Sequence, residues 1–154
     1  MTVTSTDRIE KRVLLRAPRA RVWAALADAE AFGRWFGVDL AGSFAPGARL
    51  SGRVTHEGYE HVPFEITIER MAPERLLSWR WHPHAVEPGG NYSDEPTTLV
   101  EFELDDVEDG TMLTVVESGF DGIPQARRAE AYRGNEQGWA AQMEAIERYV
   151  ARAA

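Results

Sequence analysis

The sequence predicts an α+β domain in which one antiparallel sheet is covered by a single long C-terminal helix. Two observations carry this. Between residues 36 and 118 the apolar residues alternate with polar ones, the period of half-buried strands. Over the last thirty residues the period changes: Tyr132, Glu136, Trp139, Met143, Ile146 and Val150 recur at steps of four and three, one face of a long helix. A sheet with one apolar face has to cover it, and only this helix is large enough.

The elements follow in order. Residues 8–15 read as a first strand. Ala17-Pro18 opens a helix with Pro18 at the first helical position, and Val22, Trp23 and Leu26 form its apolar face. Asp28 is placed to cap a second short helix over 29–35, interrupted by Gly33 and closed by Trp35 and Phe36. Strands are expected at 38–43 and 50–55, separated by the turn Ala45-Pro46-Gly47. Val62, Phe64, Ile66 and Ile68 give the clearest period-2 stretch, which Ala72-Pro73-Glu74 breaks. Leu77, Trp79 and Trp81 continue on a further strand, and residues 84–96, rich in Pro and Gly, read as a long loop. Val100, Phe102 and Leu104 share a phase; Asp109-Gly110 is a hairpin turn; Leu113, Val115 and Glu117 share a phase on the last strand. The sheet is expected to curve, with glycines 42, 47, 52 and 58 assisting bends and bulges.

Composition narrows the function classes. The 154 residues fit one domain, 1–154. With no cysteine there is neither a disulfide framework nor thiolate chemistry. The net charge of −8 argues against nucleic acid, which needs a basic surface. Neither a membrane-spanning run nor a secretory signal is evident, so membrane insertion is not expected and a cytoplasmic protein is the default.

The chemistry-bearing candidates each admit two readings. The phase of Glu117 aims it inward, toward the helix. There it is either an acid or base in an apolar pocket or a structural hydrogen-bond acceptor, unless a bulge turns it out. Asn135 either orients a ligand carbonyl or holds Glu117, or is a satisfied polar residue. Trp79, Trp81, Phe64, Phe102, Tyr132, Trp139 and Met143 form a candidate pocket wall, with Trp35 at its mouth; ordinary core uses the same residue types. Gly134 and Gly138 each cost a helix about 1 kcal/mol relative to alanine, which close packing or a bend would explain. His82-Pro83-His84 is the nearest approach to a metal motif, but no acid stands at a convincing ligand spacing, so no metal is assigned. Ser118 lacks a histidine partner for a triad. No phosphate loop is present and no cofactor is implied. Glu101, Glu103, Asp105 and Asp106 read as solvated strand faces.

Several segments together resemble the helix-grip fold of the SRPBCC superfamily, which includes START lipid-binding domains and the pollen-allergen type. They are Ala17-Pro18 with Val22-Trp23, and Trp35-Phe36-Gly37. Pro73-Glu74-Arg75-Leu76 and Trp79-Arg80-Trp81 are similar to the central hairpin of one branch, the activator of heat-shock protein 90 ATPase homologue-like proteins. Glu117-Ser118-Gly119-Phe120-Asp121 with Asn135 and Gly138-Trp139 looks like the C-terminal signature of its bacterial members. The resemblance spans essentially the whole chain. It implies a curved sheet of about seven strands gripping the C-terminal helix, with two short helices after the first strand and an apolar pocket between.

The expected function is therefore binding of a small apolar or amphipathic ligand in a cavity between sheet and helix, of about 300–1,000 Å³. Two alternatives remain open: an acid–base enzyme using Glu117, and a co-chaperone-like module that engages a protein partner. Oligomeric state is not legible.

Overall fold

The computed structural model describes residues 7–83 and 94–152. The order is β1 (Arg8–Leu15), α1 (Arg19–Ala27), α2 (Ala29–Phe36), β2 (Val38–Ala41), β3 (Arg49–Val54), β4 (Pro63–Ala72), β5 (Leu76–Trp81), β6 (Thr98–Val107), β7 (Gly110–Ser118), a short 3-10 turn (Phe120–Gly122) and α3 (Gln125–Arg152). The strands form one seven-stranded antiparallel sheet in the order β1-β7-β6-β5-β4-β3-β2. Every neighbouring pair from β2 to β7 is consecutive in the chain; β1 closes the order by pairing with β7. This is the α+β helix-grip architecture the sequence predicts.

Local chemistry explains the two short helices. Asp28 accepts a hydrogen bond from the Ala31 amide at 2.9 Å and so satisfies one of the orphan donors at the start of α2. Asp28→Ala is expected to cost about 1 kcal/mol, read as a lower urea midpoint with an unchanged slope. Pro18 stands one position earlier than expected, as the extended residue that precedes α1. Gly33 does not interrupt α2; a Cβ there would collide with the Val38 carbonyl, so glycine lets helix and strand approach. Gly37 ends the helix in the left-handed conformation, φ 93°, which glycine adopts without a Cβ penalty.

The inward face of the sheet carries the alternating set read from the sequence. Phe64, Ile66, Ile68, Leu77, Trp79, Val100, Phe102, Leu104, Leu113 and Val115 are all buried. The β4 ladder shifts register between Ile68 and Arg70, a bulge that strengthens the local bend. No bulge intervenes at the end of β7, where Glu117 pairs with Ile9 on one side and Val100 on the other.

The α3 stripe differs from expectation in its first half. The buried residues are Ala131, Asn135, Trp139, Met143, Ile146 and Val150, whereas Glu136 is exposed and Tyr132 only half-buried. At 100° per residue, Asn135 lies about 40° from Trp139 and Glu136 about 60° on the other side. The smaller offset and the smaller desolvation cost both favour Asn135. The helix packs on β1, α1 and α2, and its Trp139 reaches rings on β5 and β6.

Candidate functional site

Glu117 is the centre of the molecule's polar interior. It is fully buried, and its two oxygens are surrounded by four neutral donors. Oε1 accepts from Trp139 Nε1 at 2.8 Å and Asn135 Nδ2 at 3.0 Å. Oε2 accepts from Trp81 Nε1 at 2.7 Å, Thr98 Oγ1 at 2.5 Å and, more weakly, Asn135 Nδ2 at 3.2 Å. Three elements converge here. Trp81 ends β5 and Thr98 opens β6, directly opposite each other in the ladder; Asn135 and Trp139 sit one turn apart on α3. A carboxylate has about four lone-pair sites, and these donors occupy them. The knot therefore ties the loop end of the β5–β6 hairpin to the helix. To take a proton from a substrate, Glu117 would first have to lose a donor.

Around the knot the grip is filled with aromatic rings. Trp79 meets Phe32, Phe64, Trp81, Phe102 and Trp139 with centroids 5.1–6.4 Å apart. Phe36 meets Phe32, Phe64, Trp81 and Trp139 at 4.7–6.2 Å. Most of these pairs are edge-to-face or tilted, the geometry aromatic quadrupoles favour. This packing corrects the expected cavity of about 300–1,000 Å³. The recess at this seam holds about 130 Å³ and is lined by Phe36, Trp81, Asn135, Gly138, Trp139 and Gln142. Large aromatic side chains on both layers meet one another across the seam.

The expected site residues thus divide. Trp81, Asn135 and Trp139 line the recess and also hold Glu117. Phe64, Trp79, Phe102 and Met143 are core. Trp35 is not at a mouth: it is buried between α1 and α2, where its Nε1 donates to the Ala25 carbonyl at 2.8 Å. Tyr132 is not a donor to Glu117. Its hydroxyl donates to the Arg8 carbonyl on β1 at 3.0 Å, and its ring packs edge-on to Phe120. Burial first, and the Glu136 carboxylate second, push its phenol above the ordinary tyrosine range. Phe36, Gly138, Gln142 and Thr98 were not among the expected site residues. Gln142 follows Gly138 by four residues and Trp139 by three, so helical spacing alone places it on this face. Thr98 had no such signal, because only the β5–β6 register sets it against Trp81.

Beside the knot, Arg127 at the start of α3 donates to Glu95 Oε1 at 2.6 and 2.8 Å and to the Pro83 carbonyl at 2.9 Å. His82 donates from Nε2 to the Glu95 carbonyl at 3.0 Å. His84 and most of the expected 84–96 loop lie outside the described residues. Among those described, no cluster of three or more metal-ligating side chains occurs. No described helix is long and apolar enough to cross a membrane.

The family model for the Activator of Hsp90 ATPase homolog 1-like protein matches residues 16–151. The chain belongs to this family. It is a branch of the SRPBCC superfamily, and the helix-grip topology agrees with that. Solved structures agree on the fold. Protein MLL2253 of Mesorhizobium loti is 20% identical with a TM-score of 0.75, covering 96% of this chain and 98% of its own. DynU16, a putative protein in the dynemicin biosynthetic locus, is 24% identical with a TM-score of 0.71 over 94% of this chain and 47% of its own. The Aha1 dimer from Colwellia psychrerythraea is 17% identical with a TM-score of 0.67, covering 91% of this chain and 92% of its own. No significant match is found among curated proteins.

Proposed function

We propose that the protein binds a small apolar or amphipathic molecule at the recess between α2, the end of β5 and the middle of α3. The observation that carries this reading is the make-up of the recess. Three aromatic side chains, Phe36, Trp81 and Trp139, stand beside two amides, Asn135 and Gln142. A mostly apolar concavity with a few placed polar groups is the composition of a small-molecule site. Its walls are fixed in advance: Trp81, Trp139 and Asn135 are tied to Glu117, and Gln142 Nε2 donates to the Phe36 carbonyl at 2.8 Å. Such pre-organisation reduces the ordering cost of binding. In this reading Glu117 holds the site together and is not a proton carrier, because its lone pairs are committed. Turnover through Glu117 remains the competing enzymatic reading.

Nuclear magnetic resonance of the tryptophan indole N–H groups tests the proposal. Phenols, short alcohols and medium-chain fatty acids are titrated into the ¹⁵N-labelled protein. Saturable shifts are expected for the Trp81 and Trp139 indoles, with the buried Trp35 indole unaffected. A panel that moves neither signal removes the recess as a binding site. Chemical conversion of a bound compound, lost in Glu117→Gln, would replace the binding reading with the enzymatic one.

A further inference from the structure

We infer that Gly138 sets the size of the recess, and that its occupant is a molecule inserting one aromatic ring that carries a hydrogen-bond donor. This rests on the binding reading above and adds the ligand's class and the residue that selects it.

Gly138 lies midway along the 28-residue helix α3, exposed at the rim of the recess, where glycine is the least favourable residue after proline. Two ordinary reasons for such a glycine fail here. Its φ is not positive, so the backbone does not demand it. A Cβ at this position would meet nothing within 4 Å among the described residues, in contrast to Gly33, where a carbonyl blocks it. Close packing therefore does not account for the residue. What the missing side chain does is leave open the recess that Gly138 borders together with Phe36, Trp81 and Trp139.

The volume and the polar atoms define the occupant. At about 130 Å³ the recess approaches the roughly 150 Å³ of an apolar protein cavity that admits benzene. It accommodates one ring; the rest of a longer chain would stand in solvent. Asn135 is three residues before Gly138 and Gln142 four residues after it, so both stand on its side of the helix. Each spends its amide N–H₂ on a protein acceptor, Glu117 and the Phe36 carbonyl respectively. That assignment leaves their carbonyl oxygens, Oδ1 and Oε1, to face a ligand as acceptors. A ring bearing a hydroxyl complements two acceptors; a carboxylate does not.

Phenol is the probe, with melting curves and indole shifts as the readouts on wild type, Gly138→Ala, Gly138→Leu and, as a control on the exposed face, Gln137→Leu. Gly138→Ala is expected to melt above wild type, since alanine favours the helix and displaces nothing, and to bind phenol more weakly. Gly138→Leu is expected to weaken phenol by about tenfold or more, as an added branch in an apolar pocket does. Gln137→Leu should bind as wild type. A folded Gly138→Leu that binds phenol within about twofold of wild type would overturn the inference, as would a Gly138→Ala that melts lower. Benzoate binding as tightly as phenol would overturn the ligand class. Wild type showing no phenol-dependent indole shift, while another compound of the panel shifts Trp81 and Trp139, defeats this inference alone. No shift with any compound defeats the underlying binding reading as well.

Discussion

Glu117→Ala is expected to abolish cooperative folding. The substitution strands four donors at once: the buried indole N–H of Trp139, the Asn135 amide and the Thr98 hydroxyl, and the half-buried indole N–H of Trp81. Each buried donor left without an acceptor costs about 1–3 kcal/mol. Four together rival the roughly 5–15 kcal/mol by which a domain is stable. Thr98 is the exception that softens the loss, because its hydroxyl can rotate to another acceptor, whereas an indole cannot. Glu117→Gln is the informative milder change. Its N–H₂ fits best in place of Oε2, where Thr98 Oγ1 can turn and accept from it; Trp81 Nε1 is then left facing a donor. One stranded indole predicts a loss of about 1–3 kcal/mol, with a cooperative transition retained. Guanidinium denaturation followed by far-ultraviolet circular dichroism measures both. A Glu117→Ala protein that unfolds cooperatively at the wild-type midpoint would mean that the knot contributes nothing to the fold.

Trp139→Ala should be nearly as damaging, through a different balance. Trp139 is almost fully buried and touches Phe36, Trp79, Trp81 and Phe102, with centroids 5.8–6.4 Å away. Truncation opens a cavity between helix and sheet, which costs about 3–5 kcal/mol. It also removes a donor from the Glu117 carboxylate, a hydrogen bond to a charged group worth about 1.5–3 kcal/mol. Trp139→Phe separates the two contributions, since it keeps most of the ring and loses the N–H. It is expected to lose about 1.5–3 kcal/mol and to couple with Glu117→Gln in a double-mutant cycle. Additive losses in that cycle would show that the indole and the carboxylate stabilise the fold independently.

The fold was legible because its signals are local. Period-2 alternation through Phe64 to Ile68 and Val100 to Leu104, the Asp28 cap and the Trp139–Val150 stripe each depend on residues a few positions apart. The inward phase of Glu117 was legible for the same reason: a strand without a bulge keeps its alternation. Near the middle of α3 this local reading reached its limit. Both Asn135 and Glu136 lie within a helical sector of Trp139, and the seam selected the neutral side chain that completes the carboxylate's donors.

Four features were decided only by tertiary structure. The pairing of Trp81 with Thr98 depends on strand register, which brings a residue from each side of the 82–97 connection onto one carboxylate. Tyr132 found the Arg8 carbonyl because β1 lies beside α3 at the sheet edge. The recess depends on where α2 ends against α3, a contact between segments more than a hundred residues apart, as in Gln142 and Phe36. Whether the aromatic set encloses a cavity or packs solid was equally beyond the chain's own pattern. Side-chain type sets how much apolar surface must be buried, but the distance between two packed layers sets what space remains, and that distance is a property of the assembled layers.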